Sequence, residues 1–278
     1  METLTQNIQE TTLSNGVTMP MVGLGVLKAK DGLEVESAVR TALQNGYRLI
    51  DTAAAYRNES GVGNAIKASG IPRDEIFLTT KVWNSDQGYE KTLAAFEQSL
   101  QLLQTDYIDL YLIHWPVAGK YKDTWKALET LYKQGKVRAI GVSNFQVRHL
   151  EDLMSSAEIT PMINQVEVHP HLQQRELQAF AESYGIKLEA WRPIMMGEVM
   201  LLPELKEIAQ RHQKSPAQVT LRWLKQRGVI TIPKSVKENR ILENADIFDF
   251  ELSESEMDMI ESLDKGRRLG PDPDNFNF

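Results

Sequence analysis

Short apolar runs recur along the whole length of this 278-residue chain, each followed by a longer amphipathic stretch, and that rhythm constrains its fold most. The runs lie at 22–24, 47–51, 76–81, 108–113, 139–142, 163–166, 187–191 and 229–232. Helical patterns fall between them at 34–45, 89–103, 121–133, 174–184 and 205–211. Ser215 and Pro216 open a further helix reaching about Lys225, the serine as N-cap and the proline in the first turn, where its missing N–H costs nothing. Strands separated by helices pair in parallel and are buried on both faces, so their side chains need not alternate in polarity. The stretch 79–83 has that character. An open doubly wound sheet shares this rhythm with a closed barrel, but it asks for a glycine fingerprint on its first βα turn. Gly23-Leu24-Gly25 lacks the third glycine, and so does Gly61-Val62-Gly63, where Ile66 stands in its place. The expectation is an α/β chain in which 1–278 form a single (β/α)8 TIM barrel domain. An N-terminal β-hairpin precedes it, its turn marked by Asn15-Gly16.

Composition bounds what such a barrel can bind. With 31 basic against 38 acidic side chains the net charge is −7, which argues against nucleic acid or an anionic membrane as the main partner. There is no cysteine, so disulfides, thiol nucleophiles, thiolate zinc sites and iron–sulfur clusters are all excluded. The start of the chain, residues 1–11, is polar and has no apolar stretch, unlike a signal peptide. No run approaches the roughly 20 apolar residues that span a bilayer. The expected address is the cytoplasm. With no long apolar surface stripe, the expected state is a monomer.

Barrel chemistry sits at the C-terminal ends of the strands. Those ends carry Asp51, Lys81 and His114, and Tyr56 follows on the loop that leaves the second strand. This combination suits carbonyl reduction, in which a developing alkoxide needs a proton. A phenol can supply it, a neighbouring ammonium stabilises the phenolate, a carboxylate holds that ammonium, and a histidine orients the carbonyl. Residue type and spacing alone leave plain barrel architecture open as well, since a Lys–Asp pair can be structural.

The segments around these residues add a resemblance. Asp51-Thr52-Ala53-Ala54-Ala55-Tyr56-Arg57-Asn58-Glu59, Thr80-Lys81-Val82-Trp83 and the run from Asp106 to Pro116, which contains His114, resemble the catalytic segments of aldo-keto reductases. Gly141-Val142-Ser143-Asn144-Phe145 and Asn164-Gln165-Val166-Glu167 are similar to that family's nicotinamide-amide contacts. Ile232-Pro233-Lys234-Ser235-Val236, with Arg240, Glu243 and Asn244, is similar to its adenosine-phosphate site. The motifs run in family order from about residue 10 to 266, and the branch resembled is that of bacterial 2,5-diketogluconate and methylglyoxal reductases. The resemblance implies reduction of small aldehydes, dicarbonyls or ketones by NADPH, with cofactor bound first and Tyr56 as proton donor. It implies that Ser143, Asn144 and Gln165 hold the carboxamide and that Trp191 stacks on the nicotinamide. Pro193, Ile194, Gly197, Ile232 and Val236 are the remaining expected cofactor contacts, and Trp83 and Trp115 the expected substrate wall. Lys234 and Arg240, six residues apart with Ser235 between, also read independently as a phosphate clamp, and two cations there favour NADPH over NADH.

Some features stand outside the family pattern. After the seventh strand, where a small residue and Pro-Leu are usual, the chain reads Trp191-Arg192-Pro193-Ile194-Met195-Met196-Gly197. Arg192 then faces the cofactor, the substrate mouth or solvent, and the two methionines pack the cofactor tunnel. His169-Pro170-His171 reads as a structural turn, and no metal is expected. The tail 266–278 is expected to fold over the mouth. Two other readings stay open: a Schiff-base aldolase using Lys81, and a barrel that holds NADPH as a sensor with little turnover.

Overall fold

The computed structural model describes residues 9–276. The chain begins with the expected hairpin, β1 (Glu10–Thr12) against β2 (Thr18–Pro20), with Thr12 opposite Thr18. Asn15 shapes its turn by accepting from the Val17 N–H at 3.2 Å, and its amide donates to the Arg138 carbonyl at 2.9 Å.

Eight parallel strands follow in chain order: β3 (Leu24–Gly25), β4 (Leu49–Asp51), β5 (Phe77–Val82), β6 (Ile108–Ile113), β7 (Val137–Ser143), β8 (Ile163–Glu167), β9 (Lys187–Trp191) and β10 (Ile230–Thr231). Each pairs with the next. Parallel bridges from Val22 to Thr231 and from Gly25 to Lys234 join the first strand to the last. The expected barrel is therefore present, with the hairpin seated at its N-terminal end, against Arg138, the second residue of β7. Every residue of β5 and of β6 is buried, which explains why these runs show no alternation: one face looks into the barrel and the other meets the helices.

Ten α-helices accompany the strands among the described residues. The sequence rhythm shows α1 (Leu33–Gln44), α3 (Tyr89–Leu103), α4 (Tyr121–Lys133), α6 (Arg175–Ser183), α7 (Pro203–His212) and α8 (Pro216–Gln226) within about two residues at each end. Each carries a buried apolar stripe; that of α4 meets β6 and β7, whereas α7 packs on α8 and on the later helix Glu254–Glu261. In α4 that stripe is Tyr121, Trp125, Leu128 and Leu131, at the three- and four-residue spacing of one helix face. Ser215 caps α8 as expected, accepting from the Gln218 N–H at 3.2 Å while the Gln218 side chain returns to the Ser215 N–H at 2.9 Å. Four helices were not evident from the rhythm: α2 (Glu59–Ser69), α5 (Val147–Met154), α9 (Glu238–Ala245) and α10 (Glu254–Glu261). No helix among the described residues is long and apolar enough to cross a membrane.

Candidate active site

The C-terminal ends of the strands open into a cavity of about 1390 Å³. Asp51 ends β4, Lys81 is next to last in β5, His114 follows β6, and Tyr56 closes a short 3-10 turn, Ala54–Tyr56, after β4. Asp51, Tyr56 and His114 line the cavity, while Lys81 lies behind them, fully buried. Its ammonium meets Asp51 Oδ1 and Oδ2 at 2.8 and 2.7 Å and the Thr52 carbonyl at 2.8 Å, which uses all three of its hydrogens. The same nitrogen lies 5.1 Å from the centre of the Tyr56 ring. His114 stands edge-on to Tyr56, with ring centres 5.7 Å apart, and edge-on to Trp83 at 5.1 Å.

Electrostatics sort these groups. Burial pulls the Lys81 ammonium down, but the facing Asp51 carboxylate and Tyr56 outweigh it, so lysine is held charged. Burial pushes the Tyr56 phenol above its ordinary value. Lys81 draws it back only in part, so the expected easing by the ammonium is present but is not the larger effect. Burial, and then the Lys81 charge, hold His114 well below the usual imidazole value, which keeps it neutral at pH 7. Its Nδ1 is buried without a partner among the described residues, so Nε2 is the ring nitrogen left for a ligand.

Beside this group the four residues of the expected amide pocket converge. Trp191 donates its indole N–H to Asn144 Oδ1 at 2.9 Å, and the Asn144 amide donates to the His114 carbonyl at 2.9 Å. Asn144 sits in the left-handed region at φ 64°, which asparagine tolerates better than most residues. Ser143 Oγ donates to the Gln165 carbonyl at 2.7 Å. The Gln165 side-chain amide reaches across the barrel to Asp51 Oδ2 at 2.8 Å and also to Glu189 Oε2 at 2.7 Å.

The cavity continues past Trp191 along Arg192, Pro193, Ile194 and Gly197 to Ile232, Lys234, Ser235, Val236, Arg240, Glu243 and Asn244. Lys237 and Asn239, which the sequence reading passed over, join that wall, and Arg57 stands at the opening. Lys234, Lys237 and Arg240 are exposed around the start of α9, and among the described residues none has an ion-pair partner. Three such cations beside helix N–H groups suit a phosphate. Arg192 faces the cavity rather than solvent alone: its guanidinium lies 5.3 Å from the Trp191 ring and its buried Nη1 has no partner among the described residues. Of the two methionines, only Met195 packs inside; Met196 is 71% exposed at the rim.

Trp83 and Trp115 both line the cavity. The tail folds over it as far as it is described, with Phe276 against Trp115 at 4.6 Å between ring centres; positions 277–278 lie outside the described residues. Arg148 holds the tail at Asp274, its Nε and Nη2 donating to Oδ1 at 2.9 and 2.7 Å, and the clasp nearer the barrel is Glu167, which accepts from the Leu269 N–H at 2.7 Å and from the Gly270 N–H at 3.1 Å. Gly270 presses so close to Trp191 that a Cβ there would meet the indole at 2.4 Å. His169 serves this clasp, its Nε2 3.1 Å from Glu167 Oε1, and pairs with Leu172 across the turn.

The chain also resembles known proteins along most of its length. The model of the aldo/keto reductase family matches residues 21–265. Over 266 residues the chain is 62% identical to a glyoxal reductase of Bacillus subtilis, covering 96% of both chains. It is 46% identical to the methylglyoxal reductase DkgA of Escherichia coli, covering 95% of this chain and 96% of that one. Among solved structures, a Gox0644 variant in complex with NADPH superposes with a TM-score of 0.93 at 45% identity, covering 98% of this chain and all of the other.

Proposed function

This chain belongs to the aldo/keto reductase family, and on that premise we propose that it reduces small aldehydes, dicarbonyls or ketones to alcohols with NADPH, Tyr56 giving the proton. The observation that carries the reading is the Asp51–Lys81 pair sealed beneath the Tyr56 ring at the inner end of the cavity. The relatives' names, glyoxal and methylglyoxal reductase, support the dicarbonyl class, and the NADPH complex of a solved relative supports the cofactor.

When bound, NADPH supplies a hydride to the carbonyl carbon. The chain does the rest. Three cations at one end of the cavity, Lys234, Lys237 and Arg240, would hold the 2′-phosphate that distinguishes NADPH from NADH. At the other end Ser143, Asn144 and Gln165 would hold the carboxamide, and Trp191, fixed by its bond to Asn144, would offer a flat face to the ring. Neutral His114 would direct the carbonyl oxygen through Nε2. Tyr56 then passes its proton to that oxygen as charge develops. An alkoxide is far more basic than a phenolate, so the transfer runs downhill even from a raised phenol, and Lys81 stabilises the phenolate left behind.

The Schiff-base alternative needs a free amine lone pair on Lys81, yet that nitrogen is held charged with every hydrogen engaged. The reading extends to a cytoplasmic monomer on composition alone. Mixing protein, NADPH and methylglyoxal and following reduced-nicotinamide absorbance tests the whole. Carbonyl-dependent loss is expected; tight NADPH binding without loss across a carbonyl panel would make the chain a sensor instead.

A further inference from the structure

The chemistry above uses one side of a polar layer inside the barrel, and its other side has no assigned part. Glu189, in the middle of β9, is fully buried. Its Oε2 takes one hydrogen of the Gln165 amide at 2.7 Å, and Asp51 Oδ2 takes the other at 2.8 Å. An amide nitrogen has two hydrogens, so both are spent and the carbonyl oxygen of Gln165 is the end that remains for the cavity. We propose that Glu189 is a positioning residue of the hydride-transfer site: by sharing the Gln165 amide with Asp51 it locks that side chain with its oxygen toward the mouth. This rests on the reductase reading given above.

Charge accounting supports the assignment. Asp51 on β4 and Lys81 on β5 form a neutral pair, and Gln165 on β8 is uncharged. An ionised Glu189 would add a buried negative charge with no cation of its own. Burial, then repulsion from Asp51, pushes its carboxyl up to about 8, against the smaller pull of Gln165 and Lys81. Glu189 therefore keeps its proton well above the usual carboxylate range. Oε2 accepts from Gln165, so the proton belongs on Oε1, the atom without a partner among the described residues. Ionisation at higher pH would also make Tyr56 hold its proton more tightly, since the Glu189 charge acts on the phenol in that direction.

The test uses the full chain in two measurements. Single-turnover oxidation of bound NADPH by methylglyoxal is followed between about pH 6 and about pH 10 for wild type and Glu189→Gln. NADPH dissociation constants are measured by nicotinamide fluorescence for wild type, Glu189→Gln and Glu189→Leu. Wild type should lose rate with an inflection near pH 8, and Glu189→Gln, which cannot ionise but still offers an acceptor, should move that limb up by about one pH unit or more. Glu189→Leu should bind NADPH about tenfold more weakly, the worth of one well-placed hydrogen bond, with most of the loss restored in Glu189→Gln. An alkaline limb identical in wild type and Glu189→Gln would overturn the proposal, and so would unchanged affinity in Glu189→Leu. If Glu189→Leu does not fold, the pH comparison decides alone. If no carbonyl is reduced at all, the reductase reading fails, and the affinity measurement still decides the part of Glu189.

Discussion

The ammonium of Lys81 sits 2.7 Å from Asp51 Oδ2 with both side chains almost wholly out of water. Burying a single charge this deeply is costly, so each of the two depends on the other to be there at all. Lys81→Met should therefore cost on the order of 3–5 kcal/mol of stability by leaving Asp51 uncompensated, besides removing turnover. Adding Asp51→Asn should return most of the stability and none of the rate. Chemical denaturation beside a turnover assay separates the two effects. A double variant no more stable than Lys81→Met would show that the pair is not the reason for the loss.

Tyr56→Phe removes one oxygen from the chemical step and nothing from the cofactor end of the cavity. Turnover should fall by roughly 10²–10⁴-fold, while NADPH affinity stays within about twofold of wild type. Fluorescence titration with steady-state kinetics checks this, and retained turnover would remove Tyr56 from its proposed role.

Lys234, Lys237 and Arg240 can be told apart from a general basic rim by comparing cofactors. Replacing Lys234 or Arg240 by alanine should weaken NADPH by about tenfold or more and NADH hardly at all, in keeping with a charge-assisted bond to a phosphate. Lys237→Ala should show the same sign. Equal losses for both cofactors would put the clamp elsewhere.

Two buried groups give stability opposite pH dependences. Glu189 titrates near its ordinary 4.5 when unfolded and near 8 when folded, so the native state keeps a proton the unfolded chain has released. Its contribution is complete below about 4.5 and is lost as pH rises toward 8, by up to about 1.4 kcal/mol for each pH unit. His114 is held below 6.5, so its contribution is present above that value and is lost as pH falls. The melting temperature of Glu189→Gln relative to wild type should therefore climb from pH 5 to pH 8, and that of His114→Asn should climb as pH is lowered below 6.5. Flat difference curves would count against both.

Glu167 anchors the tail through two backbone N–H groups and lies outside the proposed chemistry. Glu167→Ala combined with Arg148→Ala, which releases the tail's second hold at Asp274, should free 269–276 and with them Phe276, raising KM for the carbonyl several-fold with a smaller change in NADPH affinity. An unchanged KM would mean that Phe276 is not part of the substrate wall.

How much of this was legible beforehand follows from where the signals lie. The proposed catalytic residues were legible because they sit at or beside strand ends: Asp51 closes β4, Lys81 is next to last in β5, and His114 follows the last residue of β6. Helix α2 was hidden by Gly61 and Gly63, read as a failed fingerprint. In the structure a Cβ on Gly63 would meet the Leu103 backbone at 2.7 Å, so this glycine permits close packing against α3. Glu189 was hidden for a different reason. With Lys187 two residues before it, β9 looks like a strand with a wet face, and only barrel closure turns that face inward. Lys237 and Asn239 lay in plain view in a basic stretch, but nothing local says which of its side chains turn toward the cavity.

The hairpin of residues 10–20, held to Arg138 at the N-terminal end of the barrel, places a stopper opposite the reacting groups. One pole of the molecule is thereby given over to upkeep and the other to work. Damage at the stopper should be felt as a lower melting temperature with the affinity for each ligand intact, whereas change at the open rim can accumulate at little cost to folding. A lineage carrying this scaffold is free to exchange its carbonyl for another by redrawing the rim, because the parts that keep the vessel closed are elsewhere.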